Sequence, residues 1–307
     1  MIYTLTLNPA IDLFIETPKM VDGVVNRTRD YDIQANGKGV NVSFVLKKLG
    51  IANVALGVGG GFTNRYIEEV LSERKIPNDF VHTQNITRIN VFVKVIATDQ
   101  EYKLVNSGPE VSPDEIARIM AKVKKIGSAD TLVLSGSFSK GIDPAIIEEI
   151  AAISQKNQFK FVIDTSYKEV LSALKYRPYL IKPNNEELSS WFGAPSDSSN
   201  EAIVELAKKA VRAGAQNVLV SLGSQGALLV NEQEVLFGNA PKIEVMNTAG
   251  AGDTMLGTFL AGDARHLNRR ENLIASLAAA SDTARHAGLT AFEDLEGLKE
   301  QIRIQRL

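Results

Sequence analysis

Short apolar runs closed by glycine, proline or asparagine alternate along this chain with longer stretches in which apolar residues recur every three or four positions. The runs predict buried strands, and the stretches predict helices laid against them. Residues 2–7 make the first strand, stopped by Asn8-Pro9. Val42, Val45, Leu46 and Leu49 mark a helix ending at Gly50. Residues 54–58 make a strand before three glycines, and Tyr66, Ile67, Val70 and Leu71 mark the helix beyond them. Past Pro113 the rhythm is regular: helix 113–125, strand 131–135, helix 144–156, strand 160–164, helix 167–175 and strand 179–182. Helices over 185–192 and 200–213 and a strand over 217–221 follow. A hairpin over 226–237, a strand over 242–246 and helices over 253–262, 270–287 and 294–305 complete the chain.

Strands alternating with helices through short turns predict an α/β fold, a mostly parallel sheet covered on both faces by right-handed crossovers. Residues 13–17, 24–34, 88–96 and 101–106 break that rhythm: they are extended and mostly polar-faced, and the last two read as a hairpin around Thr98-Asp99-Gln100. They predict a small sheet standing away from the main body. In open α/β sheets ligands collect at the carboxyl ends of the strands. Polar or glycine-rich turns follow those ends at 136, 164, 183, 221 and 248, so these turns are expected along one edge.

Composition removes several function classes. With 307 residues, 44% of them hydrophobic, the chain is long enough for one large domain with a small appendage. A net charge of −2 gives no electrostatic footprint for nucleic acid or an acidic membrane surface. There is no cysteine and there are three scattered histidines, so any metal would be a hard cation held by oxygen. No apolar run reaches the length of a membrane span, and the start lacks a basic segment before Asp12, so a cytoplasmic protein is expected.

The richest stretch is Asn247-Thr248-Ala249-Gly250-Ala251-Gly252-Asp253, where two glycines and an acid open a helix carrying Met255, Leu256, Phe259 and Leu260. Glycine lets backbone approach a ligand, and the free N–H groups of a first helical turn make an anion site. Asp253 then reads either as a base beside a phosphate cradle or as a charge capping a helix. A second turn, Asn36-Gly37-Lys38-Gly39-Val40-Asn41, has the same character without Walker A spacing. Gly57-Val58-Gly59-Gly60-Gly61-Phe62 lacks the last glycine of a dinucleotide fingerprint. In Lys182-Pro183-Asn184-Asn185-Glu186-Glu187, Asn184 and Glu187 face one spot, either toward a hydrated Mg²⁺ or as a capping box. Ser221-Leu222-Gly223-Ser224-Gln225-Gly226 follows a strand and would hug a nucleotide or simply turn a hairpin. Lys38 in its glycine turn and Arg88 at the start of an extended segment read by themselves as solvated surface charges, and Asp12 as an acceptor of sugar hydroxyls or a turn residue.

Seven segments in order resemble the PfkB/ribokinase family of sugar kinases over essentially the whole chain, and within it the bacterial 1-phosphofructokinase and tagatose-6-phosphate kinase group. They are residues 6–12, 37–42, 87–91 and 135–137, the run 181–184 with Glu187, and residues 220–223 and 250–253. The resemblance implies a three-layer α/β/α ribokinase-like fold with a β-sheet lid. Residues 1–11, 36–85 and 107–307 would form the core, and 12–35 and 86–106 the lid and a homodimer interface. It also implies ATP with Mg²⁺. By position, Asp253 would be the base, with Gly250, Ala251 and Gly252 in the anion hole. Asp12, Gly37, Asn41, Asn90 and Ser137 would hold the sugar, Lys38 and Arg88 its phosphate, and Arg27 a phosphate reached from the partner's lid. Lys182, Asn184, Ser221, Gly223, Gly226 and the glycines 250 and 252 would line the ATP side, with Glu187 and Asn184 in the Mg²⁺ network through water.

The implied reaction is ATP-dependent phosphorylation of fructose 1-phosphate to fructose 1,6-bisphosphate, the alternative being tagatose 6-phosphate to tagatose 1,6-bisphosphate. A non-catalytic sugar-phosphate sensor on this fold would have lost the base or its glycines, and all are present. Five positions depart from the family pattern: Asn36 stands for glycine or alanine, Asn64 for glycine, Phe138-Ser139 for Leu-Pro, and Asn247 for the aspartate of many ribokinase-type members.

Overall fold

The computed structural model describes all 307 residues. Chain order begins β1 (Ile2–Thr6), β2 (Ala10–Thr17), β3 (Asp30–Asn36), α1 (Lys38–Lys48), β4 (Asn53–Gly60), α2 (Gly61–Glu73), β5 (Asn78–Thr83), β6 (Arg88–Val95) and β7 (Gln100–Leu104). It continues through α3 (Pro113–Val123), β8 (Thr131–Ser135), α4 (Ile146–Asn157), β9 (Lys160–Asp164), α5 (Val170–Ala173), β10 (Leu180–Ile181), α6 (Asn185–Trp191) and α7 (Asn200–Arg212). It ends with β11 (Asn217–Ser221), β12 (Ala227–Asn231), β13 (Val235–Gly238), α8 (Ala251–Ala264), α9 (Arg269–Ala284), α10 (Glu296–Lys299) and β14 (Ile304–Arg306).

Ten strands form the main sheet in the order β14-β13-β12-β11-β10-β9-β8-β1-β4-β5. It is parallel from β5 to β11 and antiparallel over the last three pairs. Alternation along each strand feeds two cores. Leu132, Leu134, Phe161, Ile163, Val218 and Val220 pack with α3, α4, α6 and α7. Val133, Val162 and Leu219, one position out of step, pack with α1, α8 and α9. The result is the expected α/β/α sandwich.

The second sheet, in the order β3-β2-β6-β7, stands at the end of β1, because Asn8-Pro9 closes that strand and the chain re-enters as β2 at Ala10. Its strands therefore begin two residues before Asp12, and residues 18–29, expected partly as strand, form the loop between β2 and β3. Ile11 and Ala35 anchor it to a third apolar cluster with Val40, Phe44, Ile67 and Phe80.

Four local expectations need correction. Residues 242–246 make no strand: Val245 and Met246 are exposed, and the amides of Met246 and Asn247 donate to the Ala284 carbonyl at 2.9 and 3.1 Å. The helix expected over 294–305 covers only α10, after which the chain pairs with β13 as β14. Residues 167–175 shorten to α5 and a 3₁₀ turn at Leu174–Tyr176. Strand β5 lies on the sheet edge beside β4 where no strand was expected.

Candidate active site

The carboxyl ends of β1, β8, β9, β10 and β11 gather the expected turns. The Gly136 amide donates to the Asp164 carbonyl at 2.8 Å, that of Lys182 to Ile163 at 2.9 Å, and that of Ser221 to Pro183 at 3.1 Å. Two helices start above this edge. Gly37, with φ 136°, turns the chain into α1, and Gly250, with φ 79°, turns it into α8. Both values favour glycine. Side-chain caps are missing from both starts, and the amides of Gly252 and Asp253 have no acceptor within the protein. Those N–H groups are the unsatisfied positive end of a helix.

Asp253 is buried in the first turn of α8, and Asn41 of α1, 212 residues away in sequence, donates its amide to Asp253 Oδ2 at 2.8 Å. Burial and then the charge of Asp164 push the Asp253 carboxyl above its ordinary value, while Lys38, the Asn41 hydrogen bond and Lys182 pull it back. A carboxyl shifted in this direction takes up its proton closer to neutrality than an exposed aspartate does.

Asp164, at the end of β9, is a central residue that sequence reading missed. It is fully buried, with Lys182 Nζ at 3.1 Å and Lys38 Nζ at 3.4 Å from its Oδ1. Burial alone would raise its carboxyl, but Lys182 and Lys38 together hold it below the usual value. Asp164 in turn raises the Lys38 ammonium, against burial and with help from Asp253 and Glu187. Lys182 is itself buried, and a Cβ built on Gly252 would lie 3.4 Å from its Nζ. The edge thus carries two cations, two carboxylates and a free helix N-terminus in one place.

The second sheet carries the next group of side chains. Asp12 and Asn90 are cross-strand partners on β2 and β6, and Asn90 donates to Asp12 Oδ1 at 2.8 Å. Burial raises the Asp12 carboxyl, while Asn90, Asn36 and Arg88 oppose it. Arg88 donates to the Asn8 and Asn106 carbonyls, each at 3.1 Å, and its Nε is buried without a partner. Ser137 is exposed at the turn after β8 and accepts from Asn8 Nδ2 at 3.1 Å. Two residues expected on one phosphate therefore have different holders: Lys38 is held by Asp164, and Arg88 by backbone at the lid's base. Arg27 lies exposed in the loop before β3, and no side-chain hydrogen bond ties it to these residues.

On the side of β10 and β11, the capping alternative holds for Asn184 and Glu187. Asn184 Oδ1 accepts from the Glu187 amide at 2.7 Å, and Glu187 Oε2 accepts from the Asn184 amide at 2.9 Å. Gly223 and Gly226 have φ 58° and 120°, and a Cβ on Gly226 would overlap the Gly238 carbonyl, so that glycine is required by the hairpin itself. A divalent cation still finds oxygen here. Glu187 keeps Oε1 outside the capping box, and Asp164 Oδ2 is buried without a partner. No group of three His, Cys, Asp or Glu side chains forms a closed cage. Such a sparse, hard donor set fits Mg²⁺ that keeps waters and is completed by phosphate oxygens.

Of the departures from the family pattern, Asn64 donates to Glu68 at 3.0 Å, Phe138 lies against Tyr167 with centroids 4.5 Å apart, and Ser139 donates to Asn8 Oδ1 at 3.3 Å. Asn247 accepts the Ala249 amide at 3.0 Å in the turn before α8.

A large, mostly parallel sheet between helices, a smaller second sheet, and a buried aspartate at the uncapped start of a helix place the chain in the ribokinase-like class of kinases. The chain belongs to the pfkB family of carbohydrate kinases, whose model matches residues 5–294. It is 41% identical over all 307 residues to the D-tagatose-1-phosphate kinase of Bacillus licheniformis, with 100% of both chains covered. It is 35% identical to the 1-phosphofructokinase of Bacillus subtilis, again over 100% of both chains. The crystal structure of phosphofructokinase-2 from Escherichia coli in complex with substrates and products matches with a TM-score of 0.90 at 28% identity, covering 97% of this chain and 98% of that one.

Proposed function

We propose that this kinase transfers the γ-phosphoryl group of ATP to a ketohexose phosphate, with fructose 1-phosphate accepting at its 6-hydroxyl to give fructose 1,6-bisphosphate. The observation that carries this reading is the buried Asp253 carboxylate, held by Asn41 and set among unpaired helix amides and the Lys182–Asp164–Lys38 group. Phosphoryl transfer needs alignment and positive charge around the moving group more than covalent chemistry. Asp253 takes the hydroxyl proton as the sugar oxygen bonds to the γ-phosphorus. The bond from that phosphorus to the bridging oxygen breaks, and ADP leaves. The amides of Gly252 and Asp253 and the ammonium of Lys182 face the charge that develops. Lys38, tied to Asp164, joins them, which leaves Arg88, with its spare buried Nε, as the lid's cation for the phosphate already on the sugar. Asp12 and Asn90 accept and donate to sugar hydroxyls. Glu187 and Asp164 would hold Mg²⁺ through its waters; when bound it neutralises the nucleotide's phosphates.

Tagatose 1-phosphate is the second reading, favoured by the relative at 41% identity that bears its name, in place of tagatose 6-phosphate, the alternative from sequence. Both substrates kept here are ketohexose 1-phosphates accepting at the 6-hydroxyl. Steady-state kcat/KM for fructose 1-phosphate, tagatose 1-phosphate, tagatose 6-phosphate and fructose 6-phosphate decides between them, and a higher value for either tagatose phosphate overturns fructose 1-phosphate. Both substrates are charged metabolites, in keeping with a cytoplasmic enzyme, and no helix is long and apolar enough to cross a membrane.

A homodimer through the lids belongs to the same reading. Ile33, Leu13, Val91 and Leu104 lie in one cross-strand row, and Tyr31, Ile15, Val93 and Tyr102 in the next. Tyr31 and Leu104 are 68% and 58% exposed, so this apolar face is open to a second copy.

A further inference from the structure

Asn36 is the departure from the family pattern that falls inside the site. It is the last residue of β3, immediately before Gly37 and α1, so its backbone belongs to the junction between lid and core. Its side chain spans that junction. The Asn36 Nδ2 group donates to Asp12 Oδ2 on the lid, and its Oδ1 accepts from the Gly37 amide and from Asn41 Nδ2, the latter at 2.9 Å. Asn41 Nδ2 also donates to Asp253 Oδ2 at 2.8 Å. One continuous chain of hydrogen bonds therefore runs from the lid carboxylate to the core carboxylate.

The polarity of this chain is fixed. A carboxylate accepts only, so the Asn36 amide must turn its NH₂ toward Asp12 and its carbonyl toward Asn41. Asn41 then gives one N–H to Asn36 and the other to Asp253, so a flip of the Asn36 amide breaks three bonds and a flip of the Asn41 amide two. Asp12, Asn41 and Asp253 are all buried, so their partners are not readily replaced by water. With glycine or alanine at 36, nothing on that side would tie Asn41 to Asp12.

We infer that Asn36 is a positioning residue that couples the lid carboxylate Asp12 to the base Asp253, so that a sugar engaged by the lid also sets the alignment of the base. This rests on the proposed function, since it takes Asp12 as the sugar acceptor and Asp253 as the base. A lid that carries its own sugar contact without this link would close and bind without aiming the carboxylate.

Two experiments on the full chain test it. The first needs no substrate: thermal unfolding of wild type, Asn36→Ala, Asn41→Ala and the double variant. Coupling requires the double variant to lose less than the sum of the single losses, and additive losses overturn the inference. The second is hydrogen exchange with fructose 1-phosphate or tagatose 1-phosphate, without nucleotide. In wild type the sugar phosphate slows exchange in β2 and β6 and also at residues 250–256. In Asn36→Ala the lid remains protected while 250–256 is not, and kcat falls about 10-fold, what one hydrogen bond to a charged group is worth. Equal protection of both segments in wild type and variant overturns the coupling. No protection anywhere in wild type overturns the substrate reading instead, and the unfolding cycle still decides the link.

Discussion

Replacing Asp253 with asparagine separates chemistry from shape. The amide is isosteric, and its carbonyl oxygen would still accept from Asn41 Nδ2, which now lies 2.8 Å from Asp253 Oδ2. The first turn of α8 and its free amides are untouched, so sugar and nucleotide binding are expected to change less than 3-fold or so. The base is gone, and a positioned base is worth about 10²–10⁴-fold, which at ~1.4 kcal/mol per tenfold is about 3–5 kcal/mol of barrier. An ADP-release assay should therefore show kcat lower by at least ~10²-fold. Stability is expected to move the other way. Burial and the Asp164 charge hold the Asp253 carboxyl above its ordinary 3.8. A carboxyl raised on folding adds stability below that ordinary value and loses it as pH rises through the folded value. At neutral pH the ionised group is a cost that asparagine lacks. Relief of about 1 kcal/mol, the scale of one imperfectly compensated buried polar group, corresponds to a Tm gain of about 1–2 °C in a chain of this size. That gain should vanish below pH ~4, where the carboxyl is neutral in both states. Near-normal turnover refutes the base assignment, and a lower Tm at neutral pH refutes the electrostatic account.

Wild-type kcat/KM should fall on the acid side with unit slope, at a pH above the ordinary carboxylate range, because protonation of Asp253 removes the base; a profile flat down to pH 4 contradicts this. Asp164→Asn leaves Lys182 buried without its 3.1 Å counter-charge, a loss of about 3–5 kcal/mol visible in denaturant unfolding. The stabilisation from Asp164, whose carboxyl is lowered, is present above its ordinary 3.8 and lost as pH falls through the folded value, so the deficit should shrink in acid, and a deficit constant with pH is the opposing result. Gly252→Ala puts a methyl beside Lys182 Nζ, where the phosphoryl group is to pass, at a helical position that alanine favours; turnover should drop ~10-fold or more with Tm unchanged or higher, and full activity would remove the anion hole from this turn. The proposed homodimer predicts a dimeric mass for the wild type in light scattering at micromolar concentration and a monomeric one for Leu104→Asp on the exposed row of the second sheet, and an unchanged mass would place any interface elsewhere.

Strands buried on both faces were the legible part of the fold. Thr131–Ser135, Lys160–Asp164 and Asn217–Ser221 are continuous apolar runs because each alternate residue meets a different layer of helices. Legibility fell where one face is open or where pairing decides the outcome. In β5 only Phe80, Val81 and Thr83 are buried, so an edge strand carries half a signal. Residues 242–246 look extended, but β14 already occupies the edge beyond β13, and no ladder is left for them. The helical spacing of Leu295, Leu298 and Ile302 is satisfied by one turn of helix followed by a turn that buries Ile302, after which pairing with β13 wins over propensity.

In the site, what sequence conveyed was the backbone: glycines 37, 250 and 252 announce helix starts open to anions, whatever lies opposite them. The side-chain charges were legible only in type. Lys38, Lys182 and Asp164 come from the starts or ends of three separate elements, and nothing in their local sequence says that a single carboxylate holds both ammonium groups. An aspartate ending a strand normally signals a turn, so Asp164 gave no warning. Its place follows from electrostatics. A lysine as buried as Lys182 needs a partner before any nucleotide arrives, because an unpaired buried ammonium would lose its proton or unfold its surroundings. Asp164 meets that need with one oxygen and leaves the other unbonded. The two cations are thus held in place with no anion bound, and burial, with the same negative charge that holds them, raises the neighbouring Asp253 carboxyl above its ordinary value, the direction the proposed base requires.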